Sequence, residues 1–180
     1  MALPVNDIYT IEDIYNLPEG ERAELIDGNI YYMAPPSVIH QRILSKLNQD
    51  IANYIDSKNG TCEVYPAPFA VFLNKDDKNY VEPDISVICD PGKLDDKGCN
   101  GAPDWVIEIV SPSSRRMDYA TKLFKYQASD VREYWIVDPL KGRITVWNLE
   151  ANDVEDYTFS DSVKAGIYED LYIDFSKIKL

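Results

Sequence analysis

The chain has 180 residues, with 18 Lys and Arg against 31 Asp and Glu, a formal net charge of −13 and a pI near 4.4. That length suits one domain over residues 1–180, and the acidity excludes a protein that holds nucleic acid through a broad basic surface, because non-specific affinity comes mainly from Lys and Arg neutralising phosphates. Cys62, Cys89 and Cys99 are odd in number and widely spaced without a CxxC pair, which argues against a disulfide framework or a zinc site and for a reducing, cytoplasmic compartment.

MALPVNDIYT at the amino terminus has no basic segment followed by an apolar run, and no apolar stretch approaches the roughly 18 residues that span a bilayer. Neither a secreted nor a membrane-embedded chain is expected. Thr10 followed by IEDIYNL reads as a short capped helix that stops before Pro18. In AELIDGNIYYM, two apolar runs flank Asp27-Gly28, a hairpin signal because both turn positions favour positive φ. Pro35-Pro36-Ser37 opens a helix in which Ile43, Leu44, Leu47, Ile51, Tyr54 and Ile55 recur at helical spacing as one apolar stripe.

Cys62 to Leu73 reads as one or two strands interrupted by Pro66 and Pro68, followed by the polar tip NKDDKN. Ile85 to Cys89 and Trp105 to Val110 are short apolar runs of the kind found in central strands, and DPGKLDDKGCNGAP between them reads as a solvated loop. A helix is expected over about Met117 to Ala128, then strands in EYWIVDP and GRITVWNL joined by Leu140-Lys141-Gly142. Signals beyond Asp153 are weak. Helices flanking a mixed central sheet give an α/β (α+β) fold class.

Two acids stand out in this order, Asp84 at the head of one apolar run and Glu108 inside WVIEIV. An ionised carboxylate in an apolar strand is costly to bury, and a bound cation offsets that cost. Acids at the ends of adjacent buried strands suit Mg²⁺ or Mn²⁺, which take oxygen ligands, and Lys122 can supply positive charge near a scissile phosphate. Asp118, Lys122 and Tyr126 follow one another at i+4 steps and so share a helix face.

Pro83-Asp84, Glu108-Ile109-Val110, Ser111-Pro112-Ser113, the Asp118/Lys122/Tyr126 helix and EYWIVDP together resemble the Uma-type family of restriction-endonuclease-like proteins, which has the PD-(D/E)XK nuclease fold. GERAELIDGNIY and the Ser37-x2-His40-Gln41 helix opening extend the resemblance over most of the chain from Tyr9 to about Trp147. It implies a metal-dependent endonuclease acting on DNA, with Asp84 and Glu108 as metal-binding acids on neighbouring strands and Glu24 of the hairpin near them. One departure from the bare motif is that Val110, not Lys, stands two residues after Glu108. In the family the lysine is taken to have moved to the following helix, where Lys122 matches; a long flexible side chain can reach the same point from another backbone position.

The expected site is therefore Asp84, Glu108 and Lys122 as catalytic residues, with Asp84, Glu108 and Glu24 around the metal. His40, Gln41 and Tyr126 stand in support, and Arg115 and Arg116 follow SPSS where they can meet phosphate. Each has a structural alternative: a turn acid for Asp84, a salt bridge for Glu108, a solvated helix lysine for Lys122, packing for Tyr126 and a structural hydrogen bond for His40. Asp104, on the same strand as Glu108, reads as a strand-start residue. The partner expected is DNA, bound weakly and salt-sensitively through Arg115, Arg116, Lys122 and Lys125, with no membrane and room for a homodimer. One rival reading is a catalytically inactive module of the same fold that acts in protein interaction or dimerisation; a second, a metal-dependent hydrolase of another phosphate ester such as a nucleotide, has no Gly-rich phosphate loop in the sequence to support it.

Overall fold

The computed structural model describes residues 8–180; the reading of MALPVND as free of a leader lies outside them. Thr10 begins α1 (Ile11–Tyr15), its N–H donating to Asp13 Oδ2 at 2.7 Å. Strands β1 (Ala23–Ile26) and β2 (Asn29–Tyr32) form the expected hairpin, with Asp27 at φ 49° and Gly28 at φ 75°. Ser37 caps α2 (Val38–Ser57) by accepting the His40 N–H, and Ile43, Leu44, Leu47, Ile51 and Ile55 are its buried stripe. Each such side chain contributes roughly 1.5–3 kcal/mol on burial, so tertiary packing, more than helix propensity, holds this helix in place.

The central sheet is built from β3 (Glu63–Pro66), β5 (Ile85–Ile88), β8 (Trp105–Ile109), β9 (Glu133–Asp138), β10 (Arg143–Asn148) and β11 (Asp153–Thr158). Its order is β11-β10-β9-β8-β5-β3, with β8 and β9 parallel and the other pairs antiparallel. β3, which carries Pro66, takes an edge, where a missing N–H is tolerated. Alternation along β8 sends Trp105, Ile107 and Ile109 into one core with the α2 stripe, and Val106 and Val110 into a second core with Tyr126 and Tyr134. Glu108 therefore projects from the second face, away from α2.

That second face is covered by the crossover between β8 and β9. It is two segments where the sequence suggests one helix: a π-helical turn, Met117–Lys122, runs into α3 (Leu123–Ala128). A π turn inside a helix frequently marks a functional site. The stretch 90–103, expected as a solvated loop, instead folds as β6 (Leu94–Asp95) and β7 (Gly98–Asn100), and β7 also pairs in parallel with β4 (Val71–Phe72). Gly98 permits this, since at φ 143° a Cβ there would lie 2.2 Å from the Ala70 carbonyl oxygen. Near the C-terminal end, β12 (Ser162–Lys164) pairs with β13 (Tyr172–Asp174); Val163 and Ile173 of these strands, and Phe175 in the 3-10 turn after them, join the α2-side core.

The cysteine expectation is overturned: Cys62 and Cys89 form a disulfide, and Cys99 is free and buried. The register between β3 and β5 pairs Glu63 with Ile88, so one further step sets Cys62 opposite Cys89 despite their distance in sequence. The inference of a reducing compartment, which rested on unpaired thiols, loses that support. Among the described residues no helix is long and apolar enough to cross a membrane.

Candidate active site

The register between β5 and β8 aligns Ile85 with Ile107; continued by one residue, it sets Asp84 across from Glu108. Directly opposed residues point to the same face of a sheet. Both acids line a cleft of about 630 Å³ bounded by the hairpin, the first turn of α2, the Ser111–Ser114 loop and the β9–β10 turn. Glu24 on β1, Asp118 and Lys122 on the π turn, and His40 and Gln41 on α2 line it too.

Lys122 is the hub. Its ammonium lies 2.8 Å from Glu24 Oε2, 2.8 Å from Glu108 Oε1 and 4.0 Å from Asp118 Oδ1. Its side chain is 6% exposed, which removes the reading of a solvated helix lysine. Burial alone would lower its pKa, but the carboxylates of Glu108, Glu24 and Asp118 more than reverse that, so the group is held protonated well above its usual range. A lysine so held donates hydrogen bonds and positive charge; it does not abstract protons.

Glu108 Oε1 also accepts the Tyr126 hydroxyl at 2.7 Å. Burial, then the neighbouring Asp84, Glu24 and Asp118 charges, raise the Glu108 carboxyl well above the ordinary value, against a partial pull from Lys122. Asp118 is pushed up to about 6, chiefly by burial, and its Oδ2 accepts the Ser114 hydroxyl at 2.6 Å. Glu24 Oε1 accepts the backbone N–H of Glu82 at 3.0 Å, which fixes the hairpin acid against the segment that leads to Asp84.

Asp84 stands slightly apart from this network. Its Oδ2 accepts the Ile109 N–H at 2.7 Å and lies 3.0 Å from His40 Nε2, so it carries part of the structural role of a turn acid. His40 is thus tied to the site through Asp84. Arg115 reaches Asp138 at 3.3 Å, and Arg116 is exposed. Lys125, expected to meet phosphate, is instead buried and paired at 2.6 Å with Asp27 of the hairpin turn. Asp104 holds the Cys89 N–H and Arg132, consistent with a strand-start role.

Two participants escaped the sequence reading. Glu82 lines the cleft and takes a hydrogen bond from Tyr80 at 2.6 Å and an ion pair from Arg22; its place two residues before Asp84 in YVEPD was the available signal. Ser114, four residues before Asp118, was visible only as part of SPSS.

Among the described residues, no group of three or more His, Cys, Asp or Glu side chains is arranged to hold a metal ion. The donor chemistry nevertheless fits a hard divalent cation. Glu24, Asp84, Glu108 and Asp118 set four carboxyl groups against one ammonium. Among the described residues, Asp84 Oδ1 and Glu108 Oε2 accept no protein hydrogen bond, while the other oxygen of each does.

Comparison with known proteins agrees with this architecture. A protein from Anabaena variabilis, whose crystal structure at 1.96 Å is described as "a putative nuclease belonging to DUF820", superposes with a TM-score of 0.76 at 20% identity, over 94% of this chain and 96% of that one. The fold is a mixed α+β one, restriction-endonuclease-like. An uncharacterized protein of Synechocystis sp. is 29% identical over 129 residues, 71% of this chain; the chain spans 66%, just under two thirds, of that relative's length. Residues 11–171 match the model of the Uma2 family, "Putative restriction endonuclease", and the chain belongs to that family.

Proposed function

We propose that this protein is a divalent-metal-dependent endonuclease that hydrolyses phosphodiester bonds in DNA. The observation that carries the reading is the placement of Lys122, whose ammonium bridges Glu24 and Glu108 at 2.8 Å on the sheet face where Asp84 is set opposite Glu108. Mg²⁺ or Mn²⁺ would be held by Asp84 and Glu108, with Glu24 assisting directly or through water. Such a cation, when bound, supplies Lewis-acid stabilisation of the phosphoryl oxygens and lowers the pKa of water.

The chain's own residues do the rest. Lys122, held protonated, stabilises charge developing on the phosphate and orients the attacking water. Tyr126 and Lys122 fix Glu108 in one rotamer by donating to the same oxygen. The Ile109 N–H and His40 do the same for Asp84. No side chain forms a covalent intermediate in this scheme.

One observation favours the inactive-module reading: Glu24 and Glu108 both spend oxygens on Lys122, as in a structural buried ion pair. Plasmid and oligonucleotide cleavage at low salt separates the two. With Mg²⁺ or Mn²⁺ the purified protein should cut and a chelator should stop it. No cleavage across divalent metals would leave the interaction module as the better account.

A further inference from the structure

A duplex is a stiff rod, and its scissile phosphate can approach a recessed site no deeper than the rims allow. Here the acids lie at the bottom of the cleft: the side chains of Glu24 and Glu108 are each 5% exposed. Met33, Pro35, Pro36 and Ile39 also line the cleft, so part of its lining carries no side-chain donor for a second phosphate backbone. Charge points the same way. A duplex presents one negative charge per roughly 1.7 Å of axis and a single strand about half that density, so a cleft that sets Glu24, Glu82, Asp84, Glu108 and Asp118 against Arg22 and Lys122 is acidic on balance and repels the duplex more.

A route for one strand leads out of the cleft. Pro112 and Ser113 line both the cleft and an adjoining shallower hollow that holds Arg115, Arg116, Tyr119 and Lys141. Arg116 and Lys141 are exposed, and among the described residues neither has an acidic partner within 4.0 Å, although most other arginines here are paired. The Lys141 ammonium lies 5.4 Å and the Arg143 guanidinium 5.6 Å from the Tyr119 ring centre, which gathers cations on one wall. Arg115 Nε and Arg143 Nε are buried without a hydrogen-bond partner among the described residues.

We infer that the site takes an unpaired polynucleotide strand, with one nucleotide in the cleft and the neighbouring phosphates on Arg116 and Lys141. This deepens the nuclease reading and rests on it for the position of the scissile bond. Aromatic and cationic groups along one groove are the usual means of holding a single strand.

The test is fluorescence anisotropy in chelator with a labelled single-stranded oligodeoxynucleotide and its blunt duplex, titrated with salt. The proteins are wild type, Arg116→Ala, Lys141→Ala and, as a control on β12, Lys164→Ala. The strand should bind more tightly than the duplex. Arg116→Ala and Lys141→Ala should each flatten the slope of log K against log salt by about 0.7 at unchanged melting temperature, and Lys164→Ala should not. Duplex binding as tight as strand binding, or slopes unchanged in both variants, would overturn the inference. A preserved strand preference without cleavage in Mn²⁺ would sink the hydrolase reading and still support the strand site.

Discussion

Lys122 Nζ donates to Glu108 Oε1 at 2.8 Å from a crossover helix, although the strand position two residues after Glu108 holds Val110, buried in the core. The positive charge and the acid thus come from different elements, and the π turn sets their distance. Removing that charge should be costly. Lys122→Met leaves Glu24 and Glu108 facing each other unpaired, with an expected loss of about 3–5 kcal/mol in metal-free buffer. Divalent metal should restore part of it, because a cation can then neutralise the same carboxylates. Chemical denaturation of both proteins with and without Mg²⁺ measures this; a loss under about 1 kcal/mol would show the pair to be worth no more than a surface bridge.

Metal linkage is the second expectation. A cation that binds only the folded form raises the melting temperature by mass action. Mn²⁺ should therefore stabilise the wild type and have a much smaller effect on Asp84→Ala. Differential scanning fluorimetry over a metal titration checks this, and equal shifts in both proteins would remove Asp84 from the proposed ligand set.

Tyr126→Phe keeps the packing against Tyr134 but deletes the hydroxyl that Glu108 accepts at 2.7 Å. A hydrogen bond to a charged group contributes about 1.5–3 kcal/mol, so stability should fall by that order. Cleavage should weaken without vanishing, since Lys122 still holds Glu108.

Asp118 gives a pH dependence with a definite sign. Its carboxyl is pushed up to about 6 in the fold, against about 3.9 in the unfolded chain, because burial and the nearby Glu24 and Asp84 charges outweigh Lys122 and the Ser114 hydroxyl. The folded state then binds more protons between those values, so metal-free stability falls as pH rises through the window. Asp118→Asn should flatten that portion of the curve, measured by urea midpoints at a series of pH values. A parallel curve for the variant would contradict the assignment.

Much of this architecture was legible in periodicity and turn chemistry, for local reasons. The α2 stripe and the Asp27-Gly28 turn are encoded by residues a few positions apart. What escaped depends on contacts distant in sequence. The Cys62–Cys89 bond follows from strand register, and β7 exists because Ala70 offers a carbonyl to a segment nearly thirty residues later, Cys99 donating to it at 2.9 Å. Single residues show the same division in the site. Glu108 was visible as a charge in an apolar run, whereas the role of Lys125 turned on the hairpin packing beside it.

Gly98 and Gly101 turn that distinction into an experiment. Both have positive φ, 143° and 110°, but a Cβ at Gly98 meets Ala70 backbone while one at Gly101 has nothing within 4 Å. Gly101→Ala should cost about 1–3 kcal/mol from backbone strain alone, and Gly98→Ala clearly more. Equal losses would contradict the close approach of Gly98 to Ala70 that the β4–β7 pairing requires.

The central claim is that DNA hydrolysis takes place at the acids beside Lys122. Single-turnover cleavage by wild type, Glu108→Gln and Lys122→Ala, purified identically and assayed in Mn²⁺ at low salt, tests it most directly. The expected result is a metal-dependent wild-type rate, a loss of about a hundredfold or more in Glu108→Gln, and in Lys122→Ala a loss of turnover larger than its loss of metal affinity. Equal rates in all three proteins would assign the activity to a contaminant and contradict the claim.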